Sequence, residues 1–123
     1  ELRATFPYKK LVTIFGCGGD RDSSKRELMG IAASRYSEKI ILTSDNPRFE
    51  EPRKIIRDIE PGVSCQYEVI VDRALAIKKA MKELDNNVLL ISGKGHENYI
   101  DQNGVKTNYS DFEEVRKNSN DKS

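Results

Sequence analysis

Long apolar runs are absent from this sequence. None approaches the ~20 residues that a membrane-spanning helix requires, and no secretory leader pattern opens the chain. Histidine is nearly missing, with His96 alone, and the two cysteines, Cys17 and Cys65, form no Cys-x-x-Cys pair. A zinc site of ordinary spacing is therefore excluded, no metal ligand is assigned, and both cysteines read as free thiols in a reducing, cytoplasmic setting. Charge of one sign is missing too: 21 basic and 20 acidic residues are well mixed, for a net charge of +1. Nothing in that balance calls for nucleic acid or an anionic membrane, so any anion site must be local. The phosphate-cradling pattern GxxxxGK[ST] does not occur. Internal repeats and low-complexity segments are absent as well. The chain begins with Glu1 and not with Met, and is expected to be a piece of something longer.

What is present is one domain's worth of chain. At 123 residues it is long enough to bury roughly 65% of its unfolded surface. A hydrophobic fraction of 37% against 33% charged is polar for a globular chain, but the apolar residues fall in compact runs. Leu11–Phe15, Lys39–Thr43, Gln66–Val71 and Val88–Ile91 read as strands, the third less apolar and so nearer an edge. Amphipathic stretches lie between them. One starts near Ser23-Ser24, either able to cap it, with Leu28, Met29, Ile31, Ala32 and Tyr36 as its apolar face. One has Pro52 in its first turn and Ile55, Ile56 and Ile59 on its face. One is capped by Asp72, with Leu75, Ile77, Ala80, Met81 and Leu84 inward. Asn103-Gly104 between two short strand-like segments predicts a hairpin, and a last helix is expected through Val115. This alternation predicts an α/β, Rossmann-like three-layer sandwich with a mostly parallel sheet and a C-terminal hairpin. Residues 1–10 are expected to be a linker, 11–116 the domain and 117–123 a disordered tail.

With the common strand order 3-2-1-4, the loops after strands one, two and four share one crevice at the carboxyl edge of the sheet. Those three loops concentrate the chemistry. The first, Gly16-Cys17-Gly18-Gly19-Asp20-Arg21-Asp22, resembles the dinucleotide fingerprint GxGxxG, but Arg21 stands where the third glycine belongs. A stand-alone dinucleotide- or nucleotide-binding module thus remains an alternative, as does a glycine turn that binds nothing or a non-catalytic interaction domain. The second, Ser44-Asp45-Asn46-Pro47-Arg48, offers a planar fork of donors from Arg48, acceptors from Asp45 and Asn46, and a loop stiffened by Pro47. A plain helix-start turn is the competing reading. The third is Gly93-Lys94-Gly95-His96-Glu97, in which Lys94 suits a phosphate or solvent, Glu97 an ammonium group, and His96 either a base or a structural role.

Together these segments resemble the C-terminal domain of the Mur ligases. Phe15 to Asp22, then Lys25-Arg26 and Met29-Gly30, is similar to its opening. Asp72-Arg73-Ala74 and Gly93-Lys94-Gly95-His96-Glu97 continue the match. Thr43-Ser44-Asp45-Asn46-Pro47-Arg48 looks like the amino-acid recognition motif of the members that add meso-diaminopimelate to UDP-N-acetylmuramoyl-L-alanyl-D-glutamate. The resemblance implies a three-domain ATP-dependent ligase of peptidoglycan synthesis. The UDP-sugar would lie on the first domain, with ATP and Mg²⁺ held mainly by the central one. This chain would be the third, inactive alone and without a catalytic residue of its own. It further implies that Arg21, Asp45, Asn46, Arg48, Gly93 and Glu97, with Pro47 in the loop, take diaminopimelate. Asp20 would approach the ATP ribose, with Lys94 and His96 as supporting residues.

Overall fold

The computed structural model describes residues 10–20, 22–83, 87–92 and 99–122, with side chains through residue 119. Four strands form one parallel sheet: β1 (Leu11–Phe15), β2 (Lys39–Leu42), β3 (Gln66–Val69) and β4 (Val88–Ile91), in the order β3-β2-β1-β4. β1 and β4 are neighbours, so the connections run outward in opposite directions from that pair. Such a switch point opens a crevice at the carboxyl ends of the strands. Helices α1 (Ser24–Ser34), α2 (Pro52–Ile59) and α3 (Arg73–Lys82) fill the crossovers, and a single 3₁₀ turn, Glu60–Gly62, follows α2.

Side-chain alternation splits the core between the two faces of the sheet. Phe15, Ile40 and Leu42 pack with Ala33 of α1 and with Ile55, Ile56 and Ile59 of α2. Ile14 and Ile41 point the other way, onto Ala76, Ile77, Ala80 and Met81 of α3. The expected three-layer α/β arrangement is therefore what forms. Gln66 and Tyr67 of β3 are exposed at the sheet edge, as their polarity suggested.

α2 and α3 start where their sequence signals place them. Glu51 caps α2 by accepting from the Arg53 and Lys54 amides, with Pro52 in the first turn. Asp72 caps α3 through the Leu75 amide. α1 does not obey its signals. Neither serine caps it with its side chain; Asp22 accepts from the Ser24 N–H at 3.0 Å instead. Leu28, Met29 and Ile31 are exposed, and the buried residues are Arg26, Gly30 and Ala33. The reason is close approach of backbones. A Cβ at Gly30 would collide with the Ile59 carbonyl, and one at Gly62 with the Glu27 carbonyl. The helix therefore turns Gly30 and Ala33 inward beside Arg26, and its bulkier apolar residues outward. Leu75 of α3, expected inward, is exposed as well.

After β4 come β5 (Tyr99–Gln102) and β6 (Val105–Asn108), an antiparallel pair joined by Asn103-Gly104. Both turn residues have positive φ, +54° and +79°, as a type I′ turn requires. The last helix, α4 (Asp111–Lys122), packs on α3 and runs past Val115 into the stretch expected to be disordered. Asn118 Nδ2 donates to the Glu114 carbonyl and Ser119 Oγ to that of Val115, so polar side chains bond their own helix there. Among the described residues no helix is long and apolar enough to cross a membrane.

Candidate functional site

The first two polar loops meet at the carboxyl edge of the sheet. Gly19 N–H donates to the Asn46 carbonyl at 2.7 Å, and Thr43 N–H to that of Phe15 at 3.0 Å. A Cβ on Gly16 would strike the Thr43 carbonyl, and one on Gly19 the Pro47 carbonyl. These glycines are therefore required for loop-to-loop contact. That weighs against the dinucleotide reading. The Gly19 amide is already engaged, and the Asp22 carboxylate sits at the start of α1, where a pyrophosphate would need open N–H groups.

Between the loops lies a cleft of about 620 Å³, lined by Gly16 to Gly18, by Lys25 and Met29 of α1, and by Asp45, Asn46 and Arg48. A smaller one of about 230 Å³ lies at the amino ends of the strands, by Lys10, Lys39 and Gln66. The described residues of the first two polar loops do not line it.

Arg48 is held from both sides. Its backbone is left-handed, φ +53°, which costs a non-glycine residue on the order of 1 kcal/mol. The β5–β6 hairpin offsets this: Arg48 N–H donates to the Asp101 carbonyl at 2.9 Å, and Asn103 N–H donates back to the Arg48 carbonyl at 2.6 Å. Arg48 Nη1 donates to the carbonyls of Gly19 at 3.0 Å and Asn46 at 3.3 Å. Asn46, 3% exposed, accepts the Asp101 N–H on its Oδ1 at 2.9 Å. Pro47 is fully buried and does not line the cleft. Asp20, with φ +55°, gives its N–H to Glu50 and accepts the Phe49 N–H on its carboxylate. Arg21, Gly93, Lys94, His96 and Glu97 lie outside the described residues. The described part of the structure thus brings Asp45, Asn46 and Arg48 to one cleft.

Two buried arginines support these loops, and sequence reasoning assigned neither a role. Arg26, 2% exposed, bonds both carboxylate oxygens of Glu50 at 2.8 Å, Asp58 at 2.9 Å and the Gly18 carbonyl at 3.0 Å. Hydrogen bonding from Arg26 pulls the Glu50 carboxyl down to about 2. Arg26 is in turn held above its ordinary value, chiefly by Glu50. The available signal was spacing: Arg26, Gly30 and Ala33 share one helix face. Cys17, between the loops, has its thiol pushed up to about 11 by burial, against the nearby charge of Arg26. Its Sγ lies 3.5 Å from Met29 Sδ. Both cysteines are free.

A parallel α/β sheet with a carboxylate- and arginine-bearing crevice at its switch point places the domain in the doubly wound class. Its family can be stated. Residues 1–95 match the model of the Mur ligase family's glutamate ligase domain, and the chain belongs to that family. It is 52% identical over 103 residues to the UDP-N-acetylmuramoyl-L-alanyl-D-glutamate–2,6-diaminopimelate ligase of Neisseria meningitidis serogroup A, covering 83% of this chain and 21% of that protein. It is 53% identical over 110 residues to the ligase of the same name from Aquifex aeolicus, covering 87% of this chain and 23% of the relative. A solved structure of a ligase of that name superposes with a TM-score of 0.87 at 42% identity, over 91% of this chain and 24% of the other. The chain therefore spans under a quarter of the length of these relatives.

Proposed function

We propose that this chain is the C-terminal domain of a cytoplasmic, ATP-dependent ligase that adds meso-diaminopimelate to UDP-N-acetylmuramoyl-L-alanyl-D-glutamate in peptidoglycan synthesis, and that its cleft takes the diaminopimelate. The observation that carries the reading is the placement of Asp45, Asn46 and Arg48 on one cleft at the switch point. Family membership and the names of the relatives support it. Diaminopimelate has two amino-acid centres, of which one reacts. The planar fork of Arg48 suits the carboxylate of the other, and Asp45 or Glu97 suits its ammonium group. Arg21 and Gly93 complete the proposed set. Pro47 acts from beneath, fixing the loop, and Asn46 couples it to the hairpin through Asp101. Lys94 and His96 are supporting residues.

Acyl-phosphate chemistry needs a phosphate clamp and a metal. This sequence lacks GxxxxGK[ST], so ATP and Mg²⁺ would be held mainly by other domains, as would the UDP-linked dipeptide. Asp20 is the residue here nearest to a nucleotide role. Its carboxylate already accepts from Phe49, which makes it the weakest of these assignments.

The test is Arg48→Ala in the ligase that carries this chain, with kcat/KM measured for diaminopimelate and for lysine, which lacks the second carboxylate. Truncating one partner of a buried charge pair removes roughly 2–5 kcal/mol, and this loss should fall on diaminopimelate alone. Arg48→Lys should recover part of it, since an ammonium cannot reproduce the fork. Equal losses for both amino acids would make Arg48 a support of the loop and would remove the reading.

A further inference from the structure

Asp72-Arg73-Ala74 opens α3, where an arginine ordinarily reaches solvent. Here the Arg73 side chain has no exposed surface. Its Nε and Nη2 each donate to a carboxylate oxygen of Asp111 at 2.8 Å, Nη2 also donates to the Ser92 carbonyl at 3.0 Å, and Nη1 to the Ser44 carbonyl at 3.3 Å. One planar group thus joins three segments of chain.

Two of those segments are the exits to the polar loops. Ser44 is the residue before Asp45, and Ser92 the residue before Gly93. Each is where its chain leaves the sheet: Ser44 N–H still donates to Val71, and Ser92 N–H to Ile14. β2 and β4 are not neighbours, because β1 lies between them. Their exits are therefore not adjacent, and no ladder bond closes the gap between them. The Arg73 fork spans that gap. Asp111 supplies the counter-charge and links the fork to the first turn of α4. Burial works against the guanidinium charge, but the Asp111 bonds and the charges of Asp111 and Asp45 outweigh it and hold Arg73 above its ordinary value.

A buried ion pair is a poor source of net stability, since apolar replacements often do as well. As a spacer it is well suited: a guanidinium is rigid and its donors point in fixed directions. We propose that Arg73 is a positioning residue for the diaminopimelate site, fixing Ser44 and Ser92, where the chain leaves β2 and β4, relative to each other without touching the substrate. The substrate named here rests on the function proposed above.

The clamp itself is tested on this chain without ligand. In Arg73→Lys and in Asp111→Asn, amide exchange at Ser44 and Ser92 should accelerate, while Ile14 and Ile41 keep wild-type protection. In the ligase carrying the chain, Arg73→Lys should raise KM for diaminopimelate about 10- to 100-fold, the usual effect of displacing binding groups by about 1 Å. KM for ATP and for the UDP-linked dipeptide should not move. If Arg73→Lys fails to fold, Asp111→Asn, which preserves shape and one acceptor oxygen, carries both measurements. Unchanged exchange at Ser44 and Ser92, or an unchanged KM for diaminopimelate, overturns the proposal; so does a KM rise shared by all three substrates, which would indicate general destabilisation. A wild-type ligase indifferent to diaminopimelate would instead overturn the functional reading, and the substrate half of this proposal with it.

Discussion

Neutralising Glu50 should show how strongly the first two loops are held together. The Glu50 carboxylate is the hub of their contact, bonded to Arg26 through both oxygens and to the Asp20 amide. Its titration moves from the ordinary 4.5 to about 2 on folding. At about 1.4 kcal/mol per pH unit that is about 3 kcal/mol. The side chain is 22% exposed, so screening reduces the figure to about 2 kcal/mol. Glu50→Gln should lose about that much at pH 7, or about 6–10 °C in Tm for a domain of this length. Arg26 would keep Asp58 and the Gly18 carbonyl, which limits the damage. The sign with pH follows from the direction of the displacement. A carboxyl that titrates lower when folded stabilises above pH 4.5, and that contribution fades as pH falls towards 2. Urea denaturation of both proteins at pH 7 and pH 3 should therefore show a gap that shrinks to under half at the lower pH. A gap equal at both pH values, or none at pH 7, would mean that the Arg26–Glu50 contact contributes no net electrostatic stability.

Gly19→Ala should destabilise by about 1–3 kcal/mol, the usual cost of an added methyl with nowhere to go, because its Cβ would meet the Pro47 carbonyl; a thermal melt unchanged from wild type would contradict the close contact. Cys17, with its thiol pushed up to about 11, should be about 0.1% ionised at pH 8. Thiol labelling at that pH should therefore modify the half-exposed Cys65 first, and faster labelling at Cys17 would refute its burial.

β1, β2 and β4 were legible because they are nearly continuous apolar runs, mostly of β-branched residues and leucine, a pattern that fits burial on both faces. Asn103-Gly104 was legible because a type I′ turn needs positive φ twice, and those two residues tolerate it. α1 was misread for an equally physical reason. Hydrophobic periodicity assumes that the bulkiest apolar residues face inward, and here backbone proximity at Gly30 and Gly62 reserves that face for small residues and Arg26. The polar loops could be recognised by composition, and Asp45, Asn46 and Arg48 do share a cleft. Their supports could not be recognised in the same way. Arg26 and Arg73 reach partners 8 to 38 residues away, and beyond the helical spacing of Arg26 with Gly30 and Ala33 no local pattern set these arginines apart from solvated ones.

The hairpin explains why Arg48 can have the backbone it does. A left-handed arginine in an isolated loop would relax to an ordinary φ. Here Asp101 and Asn103 bond its amide and carbonyl, and Asn46 Oδ1 receives the Asp101 amide from the same strand. The hairpin thus reads the backbone of the loop and leaves the Arg48 side chain in the cleft wall, with Nη1 on the Gly19 carbonyl. Arg26 and Glu50 hold the neighbouring first loop at Gly18 and Asp20, and Arg73 takes the Ser44 carbonyl from the α3 side. Two anchors, the hairpin and Arg73, therefore converge on a stretch of five residues, 44–48, that would cost free energy to order for packing alone. Such over-determination fits the function proposed for the loop, that of presenting charged groups at fixed positions, because a displacement of about 1 Å is enough to lose a bound substrate's alignment.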